Sequence, residues 1–491
     1  MGIAGRRDLM GDSLAYLAAK ALPAAASAIA LIMATRALTP TELGLLGIAV
    51  VAATTSAIFL GVGVDHAAAR FLPAYEQRDR LMLFLSAHST LVARVLGIAV
   101  SLSLITLLAV AGWASSYRLL AIAACALTVA MLAFNFSGAI LTAKRLARQF
   151  AVVEASRGLA LLTFSGLVVY IQPDPEMFVF AMAAAYALGL IVSLSQSKLH
   201  RFIGSNLDMP YLREAAAYSL PLVGWFVGVQ AMGLIERLVI ARFHGTDAVG
   251  IYHANAQLIP GSMGLLLAPL VMAAHGILMR FPAVPGAEAM LEEQLKRFTR
   301  IYLAVALPLA TAISLLAADI SQLLVGPELN GGYIAIPWLC FAVTALHLGN
   351  YAHKRFELDS RTGVMFAAMM ICVATNAGLD VWLVPTRGLQ GAAIAAAASS
   401  GLYPTLCMVV PSRIQWRFPW RSAVRIVFAC LIASLLLAIA IPWFTTWPTI
   451  AALAFSGSTF FVTYLLALFL SGELVEEKAA LARWTSKGGH L

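Results

Sequence analysis

Met33-Ala34-Thr35-Arg36-Ala37-Leu38-Thr39-Pro40-Thr41-Glu42-Leu43-Gly44-Leu45 is a short polar hairpin between two long apolar runs. About two hundred residues later the chain repeats the pattern as Val239-Ile240-Ala241-Arg242-Phe243-His244-Gly245-Thr246-Asp247-Ala248-Val249-Gly250-Ile251. Arg36 answers to Arg242 and Gly44 to Gly250 at one offset, and Arg94 answers to Arg300 at that same offset. Lys144-Arg145 and Lys354-Arg355 match at an offset four residues larger. Matches in one order, between equivalent segments, indicate two homologous halves, a common construction of transporters.

Working outward, the 491 residues are 61% hydrophobic and only 12% charged, against about 25% charged in an average soluble domain. Apolar runs of span length recur throughout, so the expected class is an all-α polytopic membrane protein. The spans fall at about 13–35, 42–64, 83–111, 118–142, 150–170, 176–197, 216–240, 248–274, 300–320, 332–352, 362–384, 388–410, 422–443 and 447–470, about fourteen in all. The expected division is an N-terminal lobe at 1–198 (spans 1–6), a cytoplasmic linker at 199–215, a C-terminal lobe at 216–410 (spans 7–12), and spans 13 and 14 with a cytoplasmic tail at 411–491. Segments 199–215 and 281–299 are expected to lie on the membrane as amphipathic stretches.

The net charge of +9 does not point to nucleic acid. With alternating spans, Arg36, Arg118, Arg242 and Arg387 fall on one side, Lys20, Arg94, Arg157 and Arg237 fall within spans, and all other basic residues fall on the opposite side. That asymmetry places both termini in the cytoplasm. The apolar stretch after Arg6-Arg7 has span length rather than signal-peptide length. Cys125, Cys340, Cys372, Cys407 and Cys430 all lie in apolar spans without a Cys-x-x-Cys pair, so they read as small buried hydrophobes and not as a metal site or a disulfide framework.

Three stretches carry a resemblance. They are the hairpin Ala34 to Gly44, then Arg70-Phe71-Leu72-Pro73-Ala74-Tyr75, and Asn376-Ala377-Gly378-Leu379-Asp380-Val381-Trp382-Leu383-Val384-Pro385 followed by Gly388-Leu389-Gln390-Gly391. Together they resemble the polysaccharide transporters, O-antigen-type flippases among them, of the multidrug/oligosaccharidyl-lipid/polysaccharide (MOP) exporter superfamily. The resemblance implies two six-helix bundles around a central cavity that opens alternately to each side. It implies the bacterial cytoplasmic (inner) membrane as location, and as substrate a lipid-pyrophosphate-linked oligosaccharide, a precursor of O-antigen, capsule or exopolysaccharide. Membrane lipids are the expected surroundings, with a polysaccharide polymerase and export machinery as expected partners. Asp380 is a departure from the family pattern, which usually has Asn-Leu before the apolar residues of span 11, whereas here an acid sits among them.

Charges inside the bilayer are costly and mark function or pairing. The expected substrate-binding cations are Arg157, Lys20, Arg94 and Arg237. Lys20 and Arg157 lie at one depth, about 10 Å from the cytoplasmic edge, where an arginine fork suits a pyrophosphate. Each has a plainer reading. Lys20 can snorkel, Arg157 can pair with Glu154 three residues earlier, and Arg94 can anchor the span edge. Arg237 is adjacent to Glu236, and neighbours in a helix do not face each other. Glu154, Glu236 and Asp380 are the candidate coupling or gating acids, Arg387 being a possible partner for Asp380. Tyr16, Trp225, Phe226 and Tyr252 are candidates for stacking on sugar, and Asp65 and His66 are expected at the inner end of span 2. There is no nucleotide-binding loop and no hydrolase or zinc motif, so neither a cofactor nor an enzymatic activity is expected. Two other readings compete with the flippase. A cation/drug antiporter of the same superfamily needs cavity carboxylates. A membrane-embedded polysaccharide polymerase needs a large outer loop, which this chain does not have.

Overall fold

A computed structural model describes residues 21–113, 117–144, 146–197, 209–278, 288–359, 361–444 and 447–473. Among them there are helices and turns but no strand, as a chain that must satisfy its own backbone hydrogen bonds in lipid requires. Lys20, Tyr16, most of the linker at 199–215 and the tail lie outside the described residues.

Eleven helices are long and apolar enough to cross a membrane among the described residues, and a shorter apolar helix, α1, covers Ala21–Ala37. The others are α2 (Pro40–Gln77), α3 (Leu81–Trp113), α4 (Arg118–Ala143), α5 (Ala147–Ile171), α6 (Pro175–Ser197), α7 (Met209–Ala256), α8 (Leu265–Leu278), α9 (Glu288–Leu315), α10 (Ala317–Leu324), α11 (Ile336–Leu358), α12 (Thr362–Val409), α13 (Trp420–Ala440) and α14 (Thr449–Leu470). A π-helical turn, Pro260–Gly264, precedes α8.

The opening hairpin is a helix break with a defined chemistry. Thr39 caps α2, Pro40 takes its first position, and the Glu42 carboxylate accepts from the Thr39 backbone N–H at 2.8 Å while the Thr39 hydroxyl accepts from the Glu42 N–H. This reciprocal box satisfies donors that a helix start leaves open. The equivalent stretch in the second half is instead a break within α7, at Gly245 with φ 84° and ψ 173°. Gly245 follows Thr39 by the same offset that separates Gly250 from Gly44. A second long helix, α12, breaks in the same way at Gly388, with φ 54° and ψ −134°. Glycine carries both breaks because positive φ costs it no Cβ clash.

Some helices run past their expected limits. α2 continues to Gln77 through Pro73, so Asp65 and His66 lie in its interior rather than at its end. The apolar count ends where polar residues begin, whereas the helix ends only where its backbone turns. His66 rests against Phe226, ring centroids 4.9 Å apart.

The chain forms two compact units. One comprises residues 1–261 and 362–395, the other 262–361 and 396–491. In the first, α2 packs along α7, and α4 packs on α2 and α6. A cluster of Ala67, Leu72, Phe84, Leu85, Ile140 and Tyr211 is buried there. By contrast Leu102, Ile105 and Leu108 of α3 stay exposed, which suits a face turned to lipid. In the second unit α9 packs on α11 and α13, and α13 on α14.

Where α2 crosses α7 the backbones meet directly. A Cβ on Gly44 would stand 1.9 Å from the Thr246 carbonyl oxygen, and one on Gly250 would stand 1.8 Å from the Pro40 carbonyl oxygen. The contact is reciprocal: the two glycines match at the offset of the repeat, and so do Pro40 and Thr246. Only residues without side chains let helices approach this closely.

Candidate functional site

The break at Gly245 folds the second arm of α7 back so that residues sixteen apart meet. Tyr252 donates its hydroxyl to the Glu236 carboxylate at 3.0 Å. Arg237 donates to His253 Nδ1 at 3.2 Å and to the Gly233 carbonyl at 2.8 Å, with its guanidinium 5.9 Å from the Tyr252 ring centroid. Because arginine can only donate, His253 accepts here and carries its proton on Nε2. Glu236 and Arg237 thus turn to different partners, as their adjacency predicts. Both are buried, as are Tyr252 and His253.

The first arm of α12 closes the same cluster. His244, next to the α7 break, bonds through Nε2 to the Val384 carbonyl at 2.7 Å, close to the α12 break. One turn and two turns before Val384 lie Asp380 and Asn376, four residues apart and therefore on one helix face. Both are 0% exposed. Asp380 is within electrostatic reach of Glu236 and Tyr252. The Asn376 carboxamide approaches Glu236 without reaching hydrogen-bond geometry. Both Asp380 oxygens, and the Asn376 Nδ2 and Oδ1, have no hydrogen-bond partner among the described residues. Arg387 is exposed and does not serve as that partner. The cluster holds two carboxylates, a phenol and a carboxamide, which present oxygen ligands of the kind that hard cations take. Among the described residues no group of three or more His, Cys, Asp or Glu could hold a metal ion.

A second charged group sits between α4, α5 and α6. Arg157 gives Nε–H and Nη2–H to one Glu154 oxygen at 3.0 and 2.8 Å. Its guanidinium lies 4.8 Å from the Tyr186 ring centroid and 5.5 Å from that of Phe134. The pair expected from the i, i+3 spacing is formed, with the arginine oriented by two aromatic faces. Two of its five N–H donors go to Glu154, which leaves Nη1 for another acceptor.

The site residues named from sequence therefore separate. Glu236, Arg237 and Asp380 come together, Arg157 and Glu154 form their own pair, Arg94 is exposed on α3, and Lys20 lies outside the described residues. Asn376, His253 and His244 were not singled out by charge. The signal for Asn376 was its i, i+4 spacing to Asp380. For His253 it was its standing sixteen residues beyond Arg237, as Tyr252 stands beyond Glu236. Tyr252, a candidate sugar platform, is fully buried against Glu236.

A search by sequence among curated proteins finds no match. Among solved structures the chain is similar to the lipid II flippase MurJ in an inward closed conformation, with a TM-score of 0.75 at 13% identity over 94% of this chain and 99% of that one. It is also similar to an inward-facing multidrug resistance MATE family transporter of the MOP superfamily, with a TM-score of 0.57 at 15% identity over 80% and 96% of the two chains. A MOP superfamily transporter from Pyrococcus furiosus, described by the reverse polarity of its binding pocket, gives 0.55 at 13% identity over 80% and 92%. The fold is the one these solved transporters and flippases share, and with eleven helices long and apolar enough to cross a membrane among the described residues the chain is a multi-pass membrane protein. The model of the polysaccharide biosynthesis protein family matches residues 9–275, more than half of the sequence, and the chain belongs to that family.

Proposed function

We propose that the protein is a flippase that moves a lipid-pyrophosphate-linked oligosaccharide from the cytoplasmic to the periplasmic leaflet of the bacterial inner membrane, driven by a proton or a monovalent cation. The observation that carries the coupled mechanism is the cluster of Glu236, Asn376 and Asp380. A carboxylate in the membrane interior without a partner is stabilised by a proton or a bound cation. Binding there supplies the differential affinity that shifts a two-state transporter.

The sequence motifs and the family support the substrate class. Arg157, held by Glu154 and the two rings, presents its remaining donors to a phosphate oxygen, with Lys20 as its expected companion. Arg94 serves at the span edge, and Arg237 holds the coupling cluster together. We read the 42- and 48-residue apolar stretches Val223–Gly264 and Thr362–Val409 as two spans each, and Ala21–Ala37 as part of the first. That gives fourteen spans in two lobes, 1–198 and 216–410, with 411–491 beyond them, and both termini cytoplasmic by the charge bias. The reciprocal crossing at Gly44 and Gly250 supports the repeat. A polymerase and export machinery act downstream on the delivered substrate.

Cells depleted of the protein are expected to accumulate lipid-linked oligosaccharide on the cytoplasmic leaflet and to lose surface polysaccharide. An Arg157→Ala copy, inserted normally, does not restore export. Rescue by that copy removes Arg157 from the proposed path. The second reading, a cation/drug antiporter, is favoured by the buried carboxylates Glu236 and Asp380. It predicts normal glycan export and new sensitivity to cationic drugs.

A further inference from the structure

In the second unit a cavity of ≈ 670 Å³ opens between the N-terminal part of α9, the start of α13 and the end of α14. Five basic side chains line it, Lys296, Arg297 and Arg300 from α9 and Arg421 and Arg425 from α13, against the two acids Glu293 and Glu473. Glu473 is already shared. It takes Arg300 Nη1 at 3.5 Å and Arg425 Nη1 at 3.2 Å, and its backbone carbonyl also accepts from Arg300 at 3.2 Å. Its side chain is 4% exposed, so it fixes one wall rather than filling the cavity. Lys296 has Glu293 at 3.5 Å, an exposed pair of little strength. Arg297 and Arg421 are exposed and enter no ion pair among the described residues. The first turn of α13 adds the positive end of a helix dipole.

The walls beside the cavity are apolar. α13 exposes Val424 and Phe428 one and two turns from its start, and α14 exposes Leu466, Phe469 and Leu470 in its last turns. Trp420, exposed at the rim, is the residue type that settles at the headgroup level of a bilayer. A positive cavity above two apolar faces matches the two ends of one kind of molecule.

We propose that this cavity is a binding site for the headgroup of an anionic phospholipid, with its acyl chains along the exposed faces of α13 and α14. Arg297 and Arg421 bind the phosphate, Arg300 and Arg425 are pre-set by Glu473, and Trp420 covers the glycerol level. Basic pockets between membrane helices select anionic lipid in this way, and the bound lipid joins α9, α13 and α14. The site is separate from the coupling cluster and does not depend on the transport reading.

The test is thermal unfolding of the full chain in mild detergent with added phosphatidylglycerol, phosphatidylcholine or inorganic phosphate. Phosphatidylglycerol is expected to raise Tm by roughly 2–4 °C, while phosphatidylcholine and phosphate leave it unchanged. The combined Arg297→Gln and Arg421→Gln variant breaks no internal ion pair, so it folds, and the rise is lost. An Arg78→Gln and Arg80→Gln variant, altered on another loop, keeps it. An equal rise in the Arg297/Arg421 variant, or the same rise with phosphatidylcholine, overturns the site. A rise with phosphate alone overturns the lipid as its occupant and leaves a free-anion site.

Discussion

Replacing Asp380 by asparagine is expected to stop transport while leaving the fold intact or more stable. Asp380 is fully buried, and neither carboxylate oxygen has a hydrogen-bond partner among the described residues. Asparagine has the same shape and no charge, so the packing of α12 is kept. Removing an uncompensated buried charge costs nothing and commonly stabilises. In the proposed mechanism, what is lost is the charged ligand for the coupling ion. An interaction with a charged group is worth about 1.5–3 kcal/mol, so the affinity for the ion falls roughly tenfold to a hundredfold and the ion no longer drives the cycle. Transport by Asp380→Asn, measured with and without a sodium gradient and a pH gradient, should respond to neither. A merely structural role would lower Tm and leave the ion dependence of the remaining activity unchanged.

The second large effect is expected at the crossing of α2 and α7. Gly44→Ala or Gly250→Ala puts a methyl within 2 Å of a backbone carbonyl oxygen, and no rotamer change relieves that clash. The helices must separate, at a cost of about 1–3 kcal/mol or more each. Either change separates the same pair of helices, so the double variant should lose less stability than the sum of the two. Gly97→Ala and Gly457→Ala serve as controls, since a Cβ at either position meets nothing within 4 Å. Tm of the full chain in detergent gives the readout. Additive losses, or none, would mean that the helices do not meet through these glycines.

Much of the architecture was legible because membrane spans are written in composition. The hairpin around Thr39, Pro40 and Glu42 carries a complete capping box in its sequence. The expected gaps between spans at 240–248 and 384–388 contain the glycines where α7 and α12 break. Helix extent was less legible. Hydropathy marks the lipid-facing stretch, while α2 continues past Asp65 to Gln77 and α9 begins at Glu288, because polar residues extend helices beyond the bilayer. In the sites, Arg157 and Glu154 could be paired from their spacing alone, since i, i+3 neighbours share a helix face. The coupling cluster could not. Which residues meet across Gly245 depends on the angle of the break, so Tyr252 against Glu236 and Arg237 against His253 were not readable from periodicity. Asn376 was missed because an uncharged amide draws no notice in an apolar span until its partners are seen.

The central claim is that this protein moves a lipid-linked oligosaccharide across a bilayer. The most direct measurement uses liposomes holding the purified protein and a fluorescent lipid-pyrophosphate oligosaccharide, with a membrane-impermeant quencher added outside. The account predicts that the protected inner pool becomes quenchable at a rate set by the protein and by the ion gradient, and that Asp380→Asn returns that rate to the level of empty liposomes. A protected pool that stays equal to that of empty liposomes under every gradient, in a preparation that exchanges a cationic dye, would contradict it.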